Sequence, residues 1–260
     1  MNCKIVADDY GMSLEVNHAI SELVCKNIVS KISIMANESI QYQSSDIEQA
    51  ETGLHINLIA YMEGTRTRQD NRVSPLKLLY LLYTKRLNDV QIKDSILHQL
   101  NFLEERGIKI SYLDTHQHVH IIPRLLNLLI IFAKAKGIDS IRCITMSRKH
   151  VCFYLYSLMR FGFLTQVPKM ILLYSFGFLM KMKLDKCKIN YCKNLVLMPL
   201  AGSGDYEGLL KTLFKRFREE DAEFVTHPGL QMGTYLADKY SSGRYIEYCS
   251  LLNLTLDSKN

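Results

Sequence analysis

The stretch Ser111–Pro123, SYLDTHQHVHIIP, constrains this chain more than any other. The ISYL that opens it is strand-like, and Pro123 begins an apolar periodic run, RLLNLLIIFAKAKG, that reads as a helix ending near Gly137. A strand turning at once into a helix predicts an α/β unit, and α/β folds build their sites on such turns. Asp114, His116, His118 and His120 stand two residues apart, so an extended segment would point all four to one face. Imidazoles and a carboxylate clustered in this way are the groups that bind divalent metals and move protons.

Other strand ends carry polar sets as well. Cys3 to Ala7 is a short apolar strand followed by ADDYG, with Ser13 placed to cap a helix from Leu14 to about Lys26. Asp8 and Asp9 would project in different directions from that turn, which suits one carboxylate on a metal and the other moving protons. Val29 to Asn37 reads as a second strand, Ser44 to Glu51 as a short helix, and Gly53 to Leu58 as a third strand whose His55 and Asn57 share a face. Residues 66–73 read as a loop, and Leu76 to Leu87 and Val90 to Arg106 have helical spacing, the second stopped by Gly107. Ser140 to Ile144 forms a strand bearing Arg142, a residue suited to a substrate oxygen or to a structural ion pair. Asn194 to Met198 is a strand, Leu209 to Glu219 a helix, and Glu223 to Thr226 a last strand that ends in His227. Strands alternating with helices predict a parallel sheet or barrel, which gathers these strand ends on one face.

A chain of 260 residues with 48% hydrophobic content can bury one core, so one domain over 1–260 is expected. The seven cysteines are odd in number and scattered without a CxxC pair, which suits reduced thiols. No charged leader with an apolar run and cleavage site is visible, so the expected location is the cytoplasm, with peripheral contact at the inner membrane face as an option. The net charge of +6 is concentrated: residues 148–193 hold nine Lys or Arg against one acid, Asp185. Basic character confined to one insertion, without a recognised binding module, argues against nucleic acid as a partner.

That insertion contains the apolar and aromatic run VCFYLYSLMRFGFLTQVPKMILLYSFGFLM, residues 151–180. Its longest uncharged stretch is Met170 to Met180, shorter than the roughly twenty residues a spanning helix needs. A hairpin of two helices around Val167-Pro168 is expected, packed on the core or on a second subunit, with in-plane membrane contact through 151–193 as the alternative.

The motifs VADDYG, VSKISIMAN, GLHINL, YLDTHQHVHIIP and EFVTHPG, in this order from Ile5 to Gly229, resemble the YdjC-like carbohydrate deacetylase family, which includes chitooligosaccharide deacetylases. The usual family wording has Asn where Val6 stands and Phe where Tyr10 stands, and residues 150–193 match no pattern known for it. The resemblance implies a distorted, polysaccharide-deacetylase-like (β/α) barrel and a homodimer. The activity implied is a metal-dependent hydrolase that removes acetyl from an N-acetylated amino sugar, as oligosaccharide, nucleotide-linked or lipid-linked. Carried over, Asp9, His55 and His116 are the metal ligands, Asp8 the general base and His227 the acid. Asp114 is placed to orient an imidazole, and His118 and His120 to support the ligands or touch substrate. Two imidazoles favour zinc as the single divalent ion, and the carboxylates would accept magnesium. The alternatives keep the fold and change the task, to a phosphoester or ester hydrolase or to a catalytically inactive sugar-binding protein.

Overall fold

The computed structural model describes residues 3–38, 45, 47–58, 75–84, 86–199, 204–230 and 241–257. Seven strands, β1 (Cys3–Tyr10), β2 (Lys31–Ile34), β3 (Glu51–Ile56), β4 (Tyr112–Thr115), β5 (Ser140–Ile141), β6 (Asn194–Leu197) and β7 (Ala222–Thr226), form one sheet in the order β5-β4-β3-β2-β1-β7-β6. Every pairing is parallel. Strands of this kind are covered on both faces and read as continuous apolar runs, and β2, β4, β6 and β7 are buried throughout. The two outer strands approach each other: Ile141 N donates to Asn190 O (3.1 Å) and Leu195 N to Thr145 O (2.9 Å). The sheet thus curls into the expected distorted barrel, and its carboxyl ends face one mouth.

Helices follow the strands: α1 (Leu14–Cys25), α2 (Pro75–Tyr83), α3 (Asp89–Glu104), α4 (Pro123–Lys136), α5 (Arg148–Arg160), α6 (Val167–Cys187), α7 (Tyr206–Phe217) and α8 (Ser241–Asp257). Local chemistry sets their ends. Ser13 accepts from Val16 N to start α1, Asn88 and Gln91 make a reciprocal capping box for α3, and Asp205 accepts from Gly208 N to start α7. Pro123 opens α4, and Gly137, left-handed at φ 69°, closes it.

Several boundaries differ from the sequence pattern. Of Val29 to Asn37 only Lys31–Ile34 is strand, and of Ser140 to Ile144 only Ser140–Ile141, because the chain leaves the sheet to build the mouth. Residues 47–50 make a turn in place of a helix, and Glu51 already pairs with Lys31 in β3. Strand β1 runs on through both acids to Tyr10. The loop expected at 66–73 lies outside the described residues. The insertion is the expected helical hairpin, α5 and α6, with the second helix starting at Val167.

Helix α6 rests on the sheet through Gly177. A Cβ there would stand 1.6 Å from the carbonyl oxygen of Ile144, just beyond β5, so backbone meets backbone with no side chain between. Gly177→Ala is expected to push α6 off the sheet and destabilise the fold by about 1–3 kcal/mol or more, read as a lower midpoint in thermal unfolding.

Candidate metal centre

The site begins with an irregularity in β1. Its register with β2 runs Val6↔Lys31 and Ala7↔Ile32, then Tyr10↔Ile34, so β1 carries one residue more than its neighbour between the last two pairs. The extra residue is a bulge, a device that bends a strand and re-aims its side chains. Asp9 takes up the distortion at φ 71°, a left-handed conformation that Asp tolerates better than most residues. Asp8 and Asp9, adjacent in the chain and both buried, consequently enter different environments.

Asp8 meets Arg142 in a two-pronged ion pair, Nη1 to Oδ2 at 2.6 Å and Nη2 to Oδ1 at 2.7 Å. The same guanidinium lies 2.6 Å from Asp114 Oδ2 and donates to Ser33 Oγ at 3.0 Å. Ser33 in turn donates to Asp114 Oδ2 (2.7 Å) and shares a 2.8 Å hydrogen bond with the Tyr112 hydroxyl. The Tyr112 ring packs on Gly53, where a Cβ would fall 2.4 Å from ring carbon. Strand register makes this possible, since Gly53 pairs with Tyr112 and His55 with Asp114. Burial alone would raise the Asp114 carboxyl, but the charges of Arg142 and His55 outweigh it and hold the group below the usual carboxylate range.

Asp9, His55 and His116 form the other half. His55 Nε2 is 3.3 Å and His116 Nδ1 3.2 Å from Asp9 Oδ1, and the two rings meet edge to face with centroids 5.5 Å apart. One donor atom from each of the three lies within 4.8 Å of the others. Donors bound to one ion at about 2.0–2.2 Å stand roughly 3 Å from each other, so the trio fits a single divalent metal. The tautomer fits as well. His55 Nδ1 is 2.7 Å from Asp114 Oδ1, and a proton held there would leave Nε2, which faces Asp9, to a metal that displaces the proton Nε2 now shares with that carboxylate. Asp8, His55 and Asp114 make an overlapping group, but Arg142 already occupies the space between its two carboxylates.

Charge around the trio is balanced by arginine. Arg244 Nη2, from α8, donates to Asp9 Oδ2 at 2.7 Å. Burial disfavours the Asp9 charge, but Arg244 and the hydrogen bonds from His116 and His55 hold its carboxyl well below the ordinary range. Burial likewise disfavours a charged His55, yet Asp114 and Asp8 push that imidazole up to about 10.

The remaining candidates divide. The even spacing of 114, 116, 118 and 120 does not put them on one face, because β4 ends at Thr115 and His116–Ile121 winds into a 3-10 turn with Gln117 and His118 both at φ 56°. His120 turns back into the protein, 2.6 Å from Thr115 Oγ1, and burial pushes it down to about 4. His118 is lowered well below its usual value, by burial first and then by the charge of Arg142, with Lys169 at the start of α6 adding a smaller contribution. His227 follows β7, its peptide N–H donating to Glu247 Oε2 (2.7 Å), and burial brings its imidazole to about 4 against the pull of Asp9 and Asp8. The Nδ1 atoms of His118 and His227 are covered and without a hydrogen-bond partner. Asn57 is tied at its backbone to Gln99 on α3.

Ser33 and Arg244 are among the members of the network that escaped the sequence reading. Ser33 was inside a recognised strand, and its signal was a hydroxyl in the apolar run KISIM. Arg244 lies beyond the last motif, and no spacing ties it to Asp9, 235 residues away.

The curated relatives cover part of the chain. A Clostridium beijerinckii protein named carbohydrate deacetylase is 26% identical over 139 residues, 51% of this chain and 56% of that protein. A Salmonella heidelberg protein named chitooligosaccharide deacetylase is 27% identical over 146 residues, 51% of this chain and 55% of that protein. The chain thus spans about half the length of the relatives it matches. The crystal structure of an Enterococcus faecalis V583 protein, named for a suggested cellobiose-phosphate cleavage role, superposes with a TM-score of 0.65, covering 98% of this chain and 92% of that one at 14% identity. That likeness is one of fold. The sequence pattern of the YdjC-like proteins matches residues 4–256, and the chain belongs to that family.

Proposed function

We propose that the protein is a carbohydrate deacetylase, hydrolysing the acetamide of an N-acetylated amino sugar with the help of one divalent metal ion, zinc or magnesium. The observation that carries this reading is the convergence of Asp9, His55 and His116 beside a second, separately held carboxylate, Asp8. The names of the two relatives supply the substrate class.

Asp9, His55 and His116 would hold the ion, which when bound polarises a carbonyl and makes water more acidic. Asp8 takes the proton of the attacking water, and Arg142, gripping both its oxygens, keeps it pointed there. Asp114 fixes His55 in the tautomer that offers Nε2. His227 serves the departing amine. With a pKa near 4 it is neutral at rest, so the proton it passes to the amine would be the one Asp8 has taken from the water, which returns both groups to their starting state.

Four outcomes check the assignments. Asp8→Asn should lower kcat by roughly 10²–10⁴, measured as acetate release from N-acetylated oligosaccharides, while equilibrium dialysis finds the metal content unchanged. Loss of metal together with activity would move Asp8 into the ligand set. His116→Ala should weaken metal binding by at least about tenfold, and stripping the metal from the unaltered protein should abolish acetate release until one divalent ion is restored. Arg142→Lys keeps a charge but loses the two-pronged grip, so kcat should fall with KM nearly constant. Should metal bind and no N-acetylated sugar release acetate, the deacetylase reading fails and the metal site stands.

A further inference from the structure

Helix α6 is apolar nearly all round, a pattern found in helices covered on every side. Only half of it is covered. Met170, Leu173, Tyr174, Gly177, Met180 and Leu184 face the protein, a direction set by the contact of Gly177 with Ile144. Ile171, Leu172, Phe176, Phe178, Leu179 and Met182 face outward with 41–59% of their surface exposed. Tyr156 and Met159 on α5, and Leu164 in the connection, extend the apolar area. Grouped exposed apolar side chains on this scale mark an interaction surface.

We propose that the outward face of α6, with the adjoining end of α5, docks in the plane of an anionic lipid leaflet. No described helix is long and apolar enough to cross a membrane, so the contact is parallel to the surface. Charge selects the occupant. Lys169 lies near one end of the face, Lys183, Lys186 and Lys188 near the other, and Arg160 on α5, all exposed. The single acid of the insertion, Asp185, is paired with Lys181 at 2.8 Å, so the unpaired charges that the insertion itself brings to this face are the cations just named. A second copy of the chain docked by two-fold symmetry would bring these lysines against their own kind around a dry centre, whereas lipid phosphates would neutralise them. The contact also lies beside the site, since α6 packs on the turn His116–Ile121. The proposal stands independently of the reaction.

The test is flotation of the full chain with vesicles of pure phosphatidylcholine and of phosphatidylcholine mixed with phosphatidylglycerol, at low and high salt. The protein should float with the anionic vesicles at low salt, and high salt should weaken binding by roughly tenfold. Phe176→Glu with Leu179→Glu, and separately Lys183→Glu with Lys186→Glu, should each lower binding by about tenfold or more at an unchanged unfolding midpoint. The lysine pair carries the test alone if the glutamates at 176 and 179 upset folding. Absence of flotation with anionic vesicles overturns the proposal, as does equal binding by the lysine-pair variant. A vesicle-free dimer that these substitutions convert to monomer would assign the face to a second copy instead.

Discussion

One buried guanidinium organises this molecule. Arg142 lies just beyond the shortest strand, β5, and its hydrogen-bonding nitrogens reach Asp8 on β1, Ser33 on β2 and Asp114 on β4, so four strands are tied at one point in the barrel mouth. Taking such a cation and two carboxylates out of water is costly, and the cost is recovered only when every charge has close partners in good geometry. The 2.6–3.0 Å contacts meet that condition. Removing the guanidinium would leave the Asp8 carboxylate in the interior without its counter-charge. The arrangement of the mouth is therefore fixed before any ligand arrives, which is the condition for a site that spends little on reorganisation.

Arg142 and Arg244 divide the two adjacent acids between them. The first holds Asp8, and the second, brought in by α8, leans on the outer oxygen of Asp9 while leaving Oδ1 to His55 and His116. A carboxylate with one oxygen neutralised and one turned to two imidazoles has a defined job, and its neighbour in sequence has a different one. Helix α8 thereby links the far end of the chain to the first strand, and the hydrogen bond from His227 N to Glu247 adds a second tie from the same helix.

Much of this was legible in the residues. Periodicity located the strands and helices, and the polar sets at strand ends named Asp8, Asp9, His55, Asp114, His116, Arg142 and His227, because parallel strands bring their ends together whatever their order. Side-chain alternation failed where the backbone stopped being a strand. Gln117 and His118 are left-handed, and nothing in HQHVH announces that two successive non-glycine residues will turn that way. The exposure of α6 was hidden for a different reason: an apolar helix reads alike whether its outer half meets protein, lipid or water. Arg244 needed tertiary knowledge, since an arginine in SSGRYIEY has no local mark of its distant partner.

The bulge in β1 has a consequence for how such a site can be transplanted or remodelled. Ala7 and Tyr10 are in register with Ile32 and Ile34, so the interval between them is a closed cassette one residue longer than the strand beside it. Within that cassette the two aspartates are not interchangeable parts in a row; they are read out in different directions by the extra residue. A graft that copied the residues of this mouth onto a regular parallel barrel, position for position, would send the second acid to the wrong side of the strand. The smallest portable unit of the site is the irregular backbone from 7 to 10 together with the strand that frames it.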